Sequence, residues 1–204
     1  MGPTESRQPD QARPDFLRKR NRLDRRQYLG RQWYFVTVCA EGRKPIFAED
    51  AVVGLLLRIL RDKCTQHSFN VYTYCFMPDH VHLECVGTSP ESDLIALIRN
   101  WKGVAQTELR RRGIHHLWQK GFYDHILRKG DDANRVAWYI FNNPIRKGLV
   151  ADPRGWPYSG SWMFDWKTMP APAEPWAPPL HEKPTHPESL GRSLSGAAAA
   201  GGRT

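Results

Sequence analysis

Two strand-like segments separated by only two residues are the feature that most constrains the fold of this chain. Residues 69–77 (FNVYTYCFM) and 80–87 (HVHLECVG) are rich in β-branched and aromatic side chains. The dipeptide Pro78-Asp79 between them is a turn signal. Strands joined by so short a connection run antiparallel. The sequence therefore predicts a β-hairpin in the middle of the chain, around which the other elements must assemble.

The segments on either side of this hairpin predict an alternation of strands and helices. Two have strand composition, and two carry apolar residues at helical spacing. The predicted strands are 33–39 and 117–128, and the predicted helices are 49–66 and 91–112. A last helix is predicted from Asp131 to about Asn143, because Pro144 ends it. The order β-α-β-β-α-β plus a helix predicts an α+β, ferredoxin-like fold with an antiparallel sheet and two helices on one face.

Length and composition predict one folded domain between two tails. The chain has 204 residues, of which 40% are hydrophobic, enough for one core. Residues 1–31 hold nine Lys and Arg against four acids and are predicted to form a basic arm. Residues 32–164 are predicted to form the domain. Residues 165–204 contain seven prolines and are predicted to be a disordered tail.

The excess of basic residues favours an anionic partner. The chain has 30 Lys and Arg against 21 Asp and Glu, a formal net charge of +9, which is typical of proteins that bind nucleic acid. Basic residues in the arm and at the end of the second predicted helix are candidate contacts to DNA phosphates, although a solvated tail explains the arm equally well. The candidates are Arg18, Lys19, Arg20, Arg22, Arg25, Arg26, Arg110, Arg111 and Arg112.

The remaining composition predicts a cytoplasmic protein with no membrane partner. No apolar run approaches the roughly 18 residues of a membrane span. The first residues lack the apolar stretch of a secretory signal. The four cysteines are scattered and form no C-x-x-C pair, so neither a zinc ribbon nor a disulfide scaffold is expected.

Two histidines at the start of the second hairpin strand form a candidate metal site. Side chains alternate along a strand, so His80 and His82 point to the same face. Two imidazoles on one face can hold a divalent metal, although two unrelated histidines are the alternative. Glu84 lies on the same face, so a site of two histidines and one carboxylate is a rival arrangement.

The last predicted helix offers a second set of polar groups. Tyr139 and Asn143 are four residues apart and therefore share one helix face. The amide oxygen of Asn143 could ligate the metal while Tyr139 presents its hydroxyl beside it. The alternative is that Tyr139 packs in the core, because its neighbours in the sequence are apolar.

Several motifs resemble one family of DNA-processing enzymes. The segment M-P-D-H-V-H-L, after an aromatic strand, resembles the HUH motif of the single-tyrosine transposases. LWQKGFYD (117–124) and YIFNNPIRKGLV (139–150) resemble the second conserved block of the same superfamily. YFVT (34–37) and WPYSGS (156–161) are most similar to the REP-associated tyrosine transposases, and the resemblance spans roughly residues 22–162.

The resemblance implies a role for each candidate residue. It makes His80, His82 and Asn143 ligands of a divalent metal, Mg²⁺ or Mn²⁺, and makes Tyr139, on the last helix, the nucleophile. Its implied substrate is single-stranded or hairpin DNA, which becomes joined to the tyrosine through a 5′-phosphate. It also favours a monomer over a dimer. Glu84 departs from the family pattern, in which an aliphatic residue is expected.

The predicted function is therefore a metal-dependent endonuclease and strand-transferase that acts on REP-type palindromes. Two alternatives stay open at this point. One is a non-catalytic protein that binds hairpin or single-stranded DNA. The other is a metal hydrolase that uses His80, His82 and Glu84 to activate a water, and it predicts no covalent bond between protein and DNA.

Overall fold

The computed structural model describes residues 24–128 and 131–178. The strands are β1 (Trp33–Cys39), β2 (Phe69–Met77), β3 (His80–Gly87), β4 (Tyr123–Ile126) and β5 (Ser159–Gly160). The helices are α1 (Asp50–His67), α2 (Leu94–Arg110), α3 (Ala133–Phe141) and α4 (Asn143–Arg146). Within the described residues, none of the helices has the length and apolar character needed to cross a membrane.

The strands form one antiparallel sheet in the order β4-β1-β3-β2-β5. The predicted hairpin is present, with Met77 paired to His80 across the Pro78-Asp79 turn. The first four strands have the order of a ferredoxin-like sheet, so the predicted α+β fold is confirmed. The short β5 extends the sheet beyond β2. As a result β3 is the central strand and has a partner on both sides.

The two faces of the sheet are covered by different helices. Helices α1 and α2 pack on the face that carries the apolar residues of the strands, and Trp101 of α2 donates from Nε1 to the Leu56 carbonyl of α1 at 3.0 Å. Helix α3 packs on the opposite face, where Val136 and Ile140 meet Phe35. Because strand side chains alternate, that second face also carries the histidines of β3.

The last helix differs from its prediction at the proline. It does not run from Asp131 through Asn143: α3 ends at Phe141, and Asn143 begins the separate helix α4. Pro144 lies in the first turn of α4, where its missing N–H costs nothing because first-turn N–H groups have no partner within the helix. The proline therefore marks a corner between two helices.

The predicted strand 117–128 is shorter in the structure. Only Tyr123–Ile126 pairs as a strand, and Trp118 forms an isolated bridge with Ala40. Gly121 between them has a φ of +80°, which takes the backbone out of the extended conformation. The aromatic composition of this segment reflects packing of its side chains rather than one continuous strand.

Both ends of the domain extend beyond the predicted boundaries of 31 and 164. Tyr28 is fully buried, and its hydroxyl donates to Asp124 at 3.0 Å. Trp166 stacks on Phe141 with ring centroids 4.1 Å apart, and Trp176 is also buried. These large side chains supply apolar surface that the overall proline and charge content conceals. The rest of the predicted arm and tail, residues 1–23 and 179–204, lies outside the described residues.

Candidate active site

The two histidines of β3 converge on one point of the sheet face. Their Nε2 atoms are 3.1 Å apart, and both side chains are buried. Their rings are nearly perpendicular. The close approach follows from the strand, because His80 and His82 are separated by one residue that points to the other face.

Each histidine is oriented through its other ring nitrogen. Asp79 Oδ1 lies 2.6 Å from Nδ1 of His80, and Thr37 Oγ1 lies 2.8 Å from Nδ1 of His82. Thr37 is the residue opposite His82 in the β1–β3 register. When both Nδ1 atoms donate to these oxygens, the lone pairs of both Nε2 atoms face each other.

The charge state of these groups fits that arrangement. Burial alone would raise the pKa of Asp79, but the bond with His80 and the charge of Arg43 hold it below its usual value. Burial lowers the pKa of His82 well below its usual value, and the charges of His80, Arg146 and Arg43 lower it further. At neutral pH Asp79 is therefore an acceptor and His82 is a neutral imidazole, as a metal ligand must be.

The converging lone pairs suit a divalent metal. An octahedral ion with ligand distances of about 2.0–2.1 Å places neighbouring donors roughly 2.9 Å apart, and the two Nε2 atoms are 3.1 Å apart. The donor set of two imidazoles therefore fits such an ion. Without a metal ion, one of the two rings can instead donate from Nε2 to the other.

Asn143 contributes an oxygen next to this pair. Its Nδ2 donates to the carbonyl oxygens of Tyr139 and Ile140 at 2.9 and 3.2 Å, which directs Oδ1 away from the helix backbone. Oδ1 accepts from Nη2 of Arg146 at 3.1 Å. The side chain is buried and opposes the lowering of the His82 pKa. Its amide oxygen is thus held in a fixed direction beside the imidazoles.

Tyr139 lies on the same side of the sheet and is half-buried. Its ring centroid is 6.3 Å from that of His82 and 5.8 Å from that of Phe35. Trp176 contacts it edge-on at 5.2 Å, and the guanidinium carbon of Arg146 lies 4.0 Å from the ring centroid. The tyrosine therefore packs against the site and does not point into the core beneath α1 and α2.

Comparison with known proteins identifies the family. A family model described as transposase IS200 like matches residues 29–143, more than half of the 204-residue chain. The chain belongs to the IS200-like transposase family. It is therefore an enzyme that acts on DNA, and members of its family use a divalent metal.

Two relatives and one solved structure are similar to this IS200-like transposase. A REP-associated tyrosine transposase of Escherichia coli (strain K12) is 26% identical over 153 residues, which cover 70% of this chain and 88% of that protein. A Haemophilus influenzae protein (strain ATCC 51907) is 26% identical over 148 residues, covering 66% and 82%. A REP-associated tyrosine transposase bound to a REP hairpin has the same fold, with a TM-score of 0.57, 22% identity, and coverage of 65% of this chain and 78% of that one.

The rival site with Glu84 as a carboxylate ligand is wrong. No group of three His, Cys, Asp or Glu side chains that could hold a metal occurs in residues 24–128 and 131–178. Glu84 lies one strand repeat beyond His82, and its fully buried carboxyl has no hydrogen bond of good geometry among the described residues. Burial raises its pKa well above the usual value, and the nearby Thr73 hydroxyl opposes this only in part. Glu84 in this transposase is therefore a buried neutral acid.

Replacing Glu84 with glutamine is expected to stabilise the protein more at about pH 8 than at about pH 5. The unfolded chain loses this proton above about pH 4.3, whereas the folded protein keeps it to a higher pH. Wild-type stability therefore falls as pH rises through that range, and glutamine removes the effect. Urea unfolding at both pH values measures it, with the exposed Glu41→Gln as control. Parallel pH dependence of wild type and Glu84→Gln would contradict the assignment.

The predicted phosphate-binding arginines lie away from this site. Arg25 pairs with Asp93, which caps the start of α2, and Arg110 lies in the last turn of the same helix. With 17 residues, α2 is about 25 Å long, and it covers the face opposite to α3. Arg111 pairs with Glu108 at 2.9 Å, and Arg26, Arg110 and Arg112 are exposed. Arg18, Lys19, Arg20 and Arg22 lie outside the described residues. The described arginines of this group therefore do not form one patch with the histidines.

Sequence reasoning assigned no role to several residues that build the site. Thr37 could have been predicted, because the alternation of side chains along β1 places it on the same face as His82, opposite which it lies. Asp79 lies in the quoted motif directly before His80. Arg146 likewise lies in the quoted segment 139–150. Trp176 has no comparable signal, because its position depends on the path of the C-terminal segment.

Proposed function

We propose that this transposase cleaves and rejoins single-stranded or hairpin DNA of the REP type through a covalent 5′-phosphotyrosine at Tyr139. The observation that carries the proposal is the convergence of the two histidine Nε2 atoms at 3.1 Å beside Asn143 and Tyr139. The names of the relatives and the REP hairpin in the similar structure supply the substrate class.

The proposed metal ligands come from β3 and α4, and the proposed nucleophile comes from α3. His80 and His82 of β3, with Asn143 of α4, would hold a divalent metal, Mg²⁺ or Mn²⁺. When bound, such an ion supplies positive charge to a non-bridging oxygen of a phosphodiester. The amide oxygen suits both ions, whereas the imidazole nitrogens favour Mn²⁺, the softer of the two.

The reaction needs only one side chain as the nucleophile. The oxygen of Tyr139 forms a bond to phosphorus, and the bond from phosphorus to the 3′-oxygen breaks. The tyrosine proton is lost to solvent, and the released 3′-oxygen takes up a proton. Attack by a 3′-hydroxyl on the phosphotyrosine reverses these steps and joins the strand. The ring contacts of Tyr139 with Phe35 and Trp176 limit the directions in which its hydroxyl can point.

The site also supports the proposal of a monomer. Tyr139 and both histidines of one chain lie on the same face of one sheet. A dimer that shared sites between subunits would instead separate the tyrosine from the histidines of its own chain.

A labelled hairpin oligonucleotide tests the proposed function directly. The substrate is a REP-type hairpin with single-stranded flanks, incubated with the protein and Mn²⁺ or Mg²⁺. A 3′-end label should migrate with the protein on a denaturing gel, whereas a 5′-end label should appear on a free fragment. Chelation should abolish both products. Binding of the hairpin without any adduct would instead identify a non-catalytic DNA-binding protein.

Replacing either histidine with alanine is expected to lower adduct formation by more than about 100-fold. Each change removes one of two converging imidazole donors, so Mn²⁺ affinity should fall as well. Calorimetric titration with Mn²⁺ and the 3′-label assay measure the two effects. The control is His67→Ala, since His67 lies at the end of α1 and contacts Asn100. Normal Mn²⁺ affinity in both His80→Ala and His82→Ala would contradict the metal site.

A further inference from the structure

Arg146 touches two of the groups to which the proposed function gives a role. Its guanidinium carbon lies 4.0 Å from the ring centroid of Tyr139, and its Nη2 donates to Asn143 Oδ1 at 3.1 Å. One cation therefore bridges the proposed nucleophile and the proposed oxygen ligand.

The corner between α3 and α4 brings this side chain into place. Arg146 lies in the last turn of the four-residue helix α4, three residues after Asn143 and seven after Tyr139. Its backbone N–H donates to the Asn142 carbonyl at 3.0 Å, which fixes the turn. Because the chain stays helical through the corner, Arg146 lies about two turns after Tyr139 on the same side, and its guanidinium lies over the face of the Tyr139 ring.

Most of the hydrogen-bonding capacity of Arg146 is directed to solvent. A guanidinium has five N–H donors and stays charged at every relevant pH. The bond to Asn143 is the one side-chain hydrogen bond that the structure gives Arg146 within residues 24–128 and 131–178, and no carboxylate there pairs with it. The residue is exposed. The remaining donors therefore form a cationic surface beside the tyrosine.

We propose that Arg146 is a further catalytic residue, whose free N–H groups bind a non-bridging oxygen of the phosphate that Tyr139 attacks. The inference rests on the proposed function. In phosphoryl transfer, negative charge spreads over these oxygens, and a guanidinium matches two of them with parallel hydrogen bonds. The bond to Asn143 keeps the guanidinium in this position before the DNA arrives.

The competing explanation is that Arg146 only positions its neighbours. In that case it holds Asn143 Oδ1 and packs on Tyr139 but never touches the DNA. The two roles differ in one respect that can be measured: only a residue that binds the phosphate should lose its importance when that phosphate oxygen is removed.

A neutral substrate makes this distinction. The cleaved position is first mapped with wild type, and the oxygen there is then replaced by methyl in each of the two methylphosphonate isomers. Arg146→Ala should slow adduct formation on the natural hairpin by about 100- to 1,000-fold. On one methylphosphonate isomer it should cost less than about tenfold relative to wild type. Arg146→Lys should recover little activity, since an ammonium cannot bond the phosphate and Asn143 together.

The control is Arg58→Ala, which removes the same charge from an exposed position on α1, on the other side of the sheet. It should leave the rates on both substrates unchanged, and thermal melts should show all variants folded. If Arg146→Ala lowered the rate of adduct formation equally on the natural and neutral substrates, or on neither, the inference would be overturned. Adduct formation by wild type would still support the proposed function.

Binding provides a readout that needs no cleavage. The hairpin is titrated against Tyr139→Phe with and without Arg146→Ala, over a range of salt concentrations. Loss of one phosphate contact should lower the salt dependence by about one released counterion. If Arg146→Ala reduced the salt dependence of binding but wild type formed no adduct, the phosphate contact would be supported and the proposed chemistry refuted. An unchanged slope would refute the phosphate contact.

Discussion

Tyr139→Phe is expected to abolish the covalent adduct while hairpin binding persists. The change removes one oxygen and keeps the ring, so the contacts with Phe35, Trp176 and Arg146 remain. If the phenolic oxygen is the nucleophile, cleavage should fall by more than about 1,000-fold. The 3′-label assay measures the adduct, and a mobility-shift titration of the same hairpin measures binding.

Tyr123 is a matched control for this experiment. It is also half-buried on this face, and its ring lies 6.1 Å from that of Phe35. Burial, with the charges of Asp124 and Tyr139, raises its pKa to about 12, so Tyr123 forms a phenolate less readily than a tyrosine in water. Tyr123→Phe should keep the adduct. Full cleavage by Tyr139→Phe would rule out the proposed mechanism.

Ending the chain at residue 164 is expected to destabilise the domain severely. The cut removes Trp166 from its stack on Phe141, and it removes Trp176 from Phe35 and Tyr139. Loss of one well-packed large aromatic side chain typically costs about 3–5 kcal/mol. A domain of this size has a total stability of roughly 5–15 kcal/mol. Chemical unfolding followed by circular dichroism should therefore show little or no cooperative transition.

Two longer chains complete this series. Ending at residue 178 keeps every contact made by Trp166 and Trp176, so stability should match that of the full chain. Ending at residue 170 removes Trp176 and the two bonds from Arg135 to the carbonyls of Glu174 and Pro175, but it keeps Trp166. It should be intermediate. Equal stability of the 164 and 178 forms would show that the C-terminal segment contributes nothing to the fold.

The central hairpin was predictable because β3 alternates apolar side chains with histidines. Val81 and Leu83 face the core under α1 and α2, while His80 and His82 face the other way. Such a pattern specifies both the strand and its two faces. The Pro78-Asp79 turn then determines the pairing of the hairpin, which the structure reproduces.

Long-range packing explains what the sequence did not predict. Local sequence rules predict that Pro144 ends a helix. In the structure it instead lies in the first turn of the next helix, where a backbone N–H would have no partner within the helix. Residues 165–178 have the proline content of a disordered tail, yet Trp166 and Trp176 find apolar partners on α3 and β1. Local composition contains no information about such partners.

The candidate site likewise combines local spacings, which were predictable, with long-range contacts, which were not. The spacings of His80 with His82 and of Tyr139 with Asn143 are one strand repeat and about one helical turn, so the proximity within each pair was predictable from local spacing, although Tyr139 and Asn143 lie on the two adjacent helices α3 and α4. Their approach to one another depends on α3 lying across β3. Arg146 continues the helical spacing of Tyr139 and Asn143, but its place in the site depends on the corner after α3.

The position of the histidines on the central strand would couple binding of the proposed metal ion to global unfolding. Thr37 can orient His82 only while β1 and β3 keep their register, and a slip of one residue would put a valine in its place. Because β3 is hydrogen-bonded on both sides, no peripheral opening can release these side chains separately. Amide protons of β3 should therefore exchange only through complete unfolding, and an ion that binds only the folded state should slow that exchange by a factor of one plus the ratio of the ion concentration to Kd.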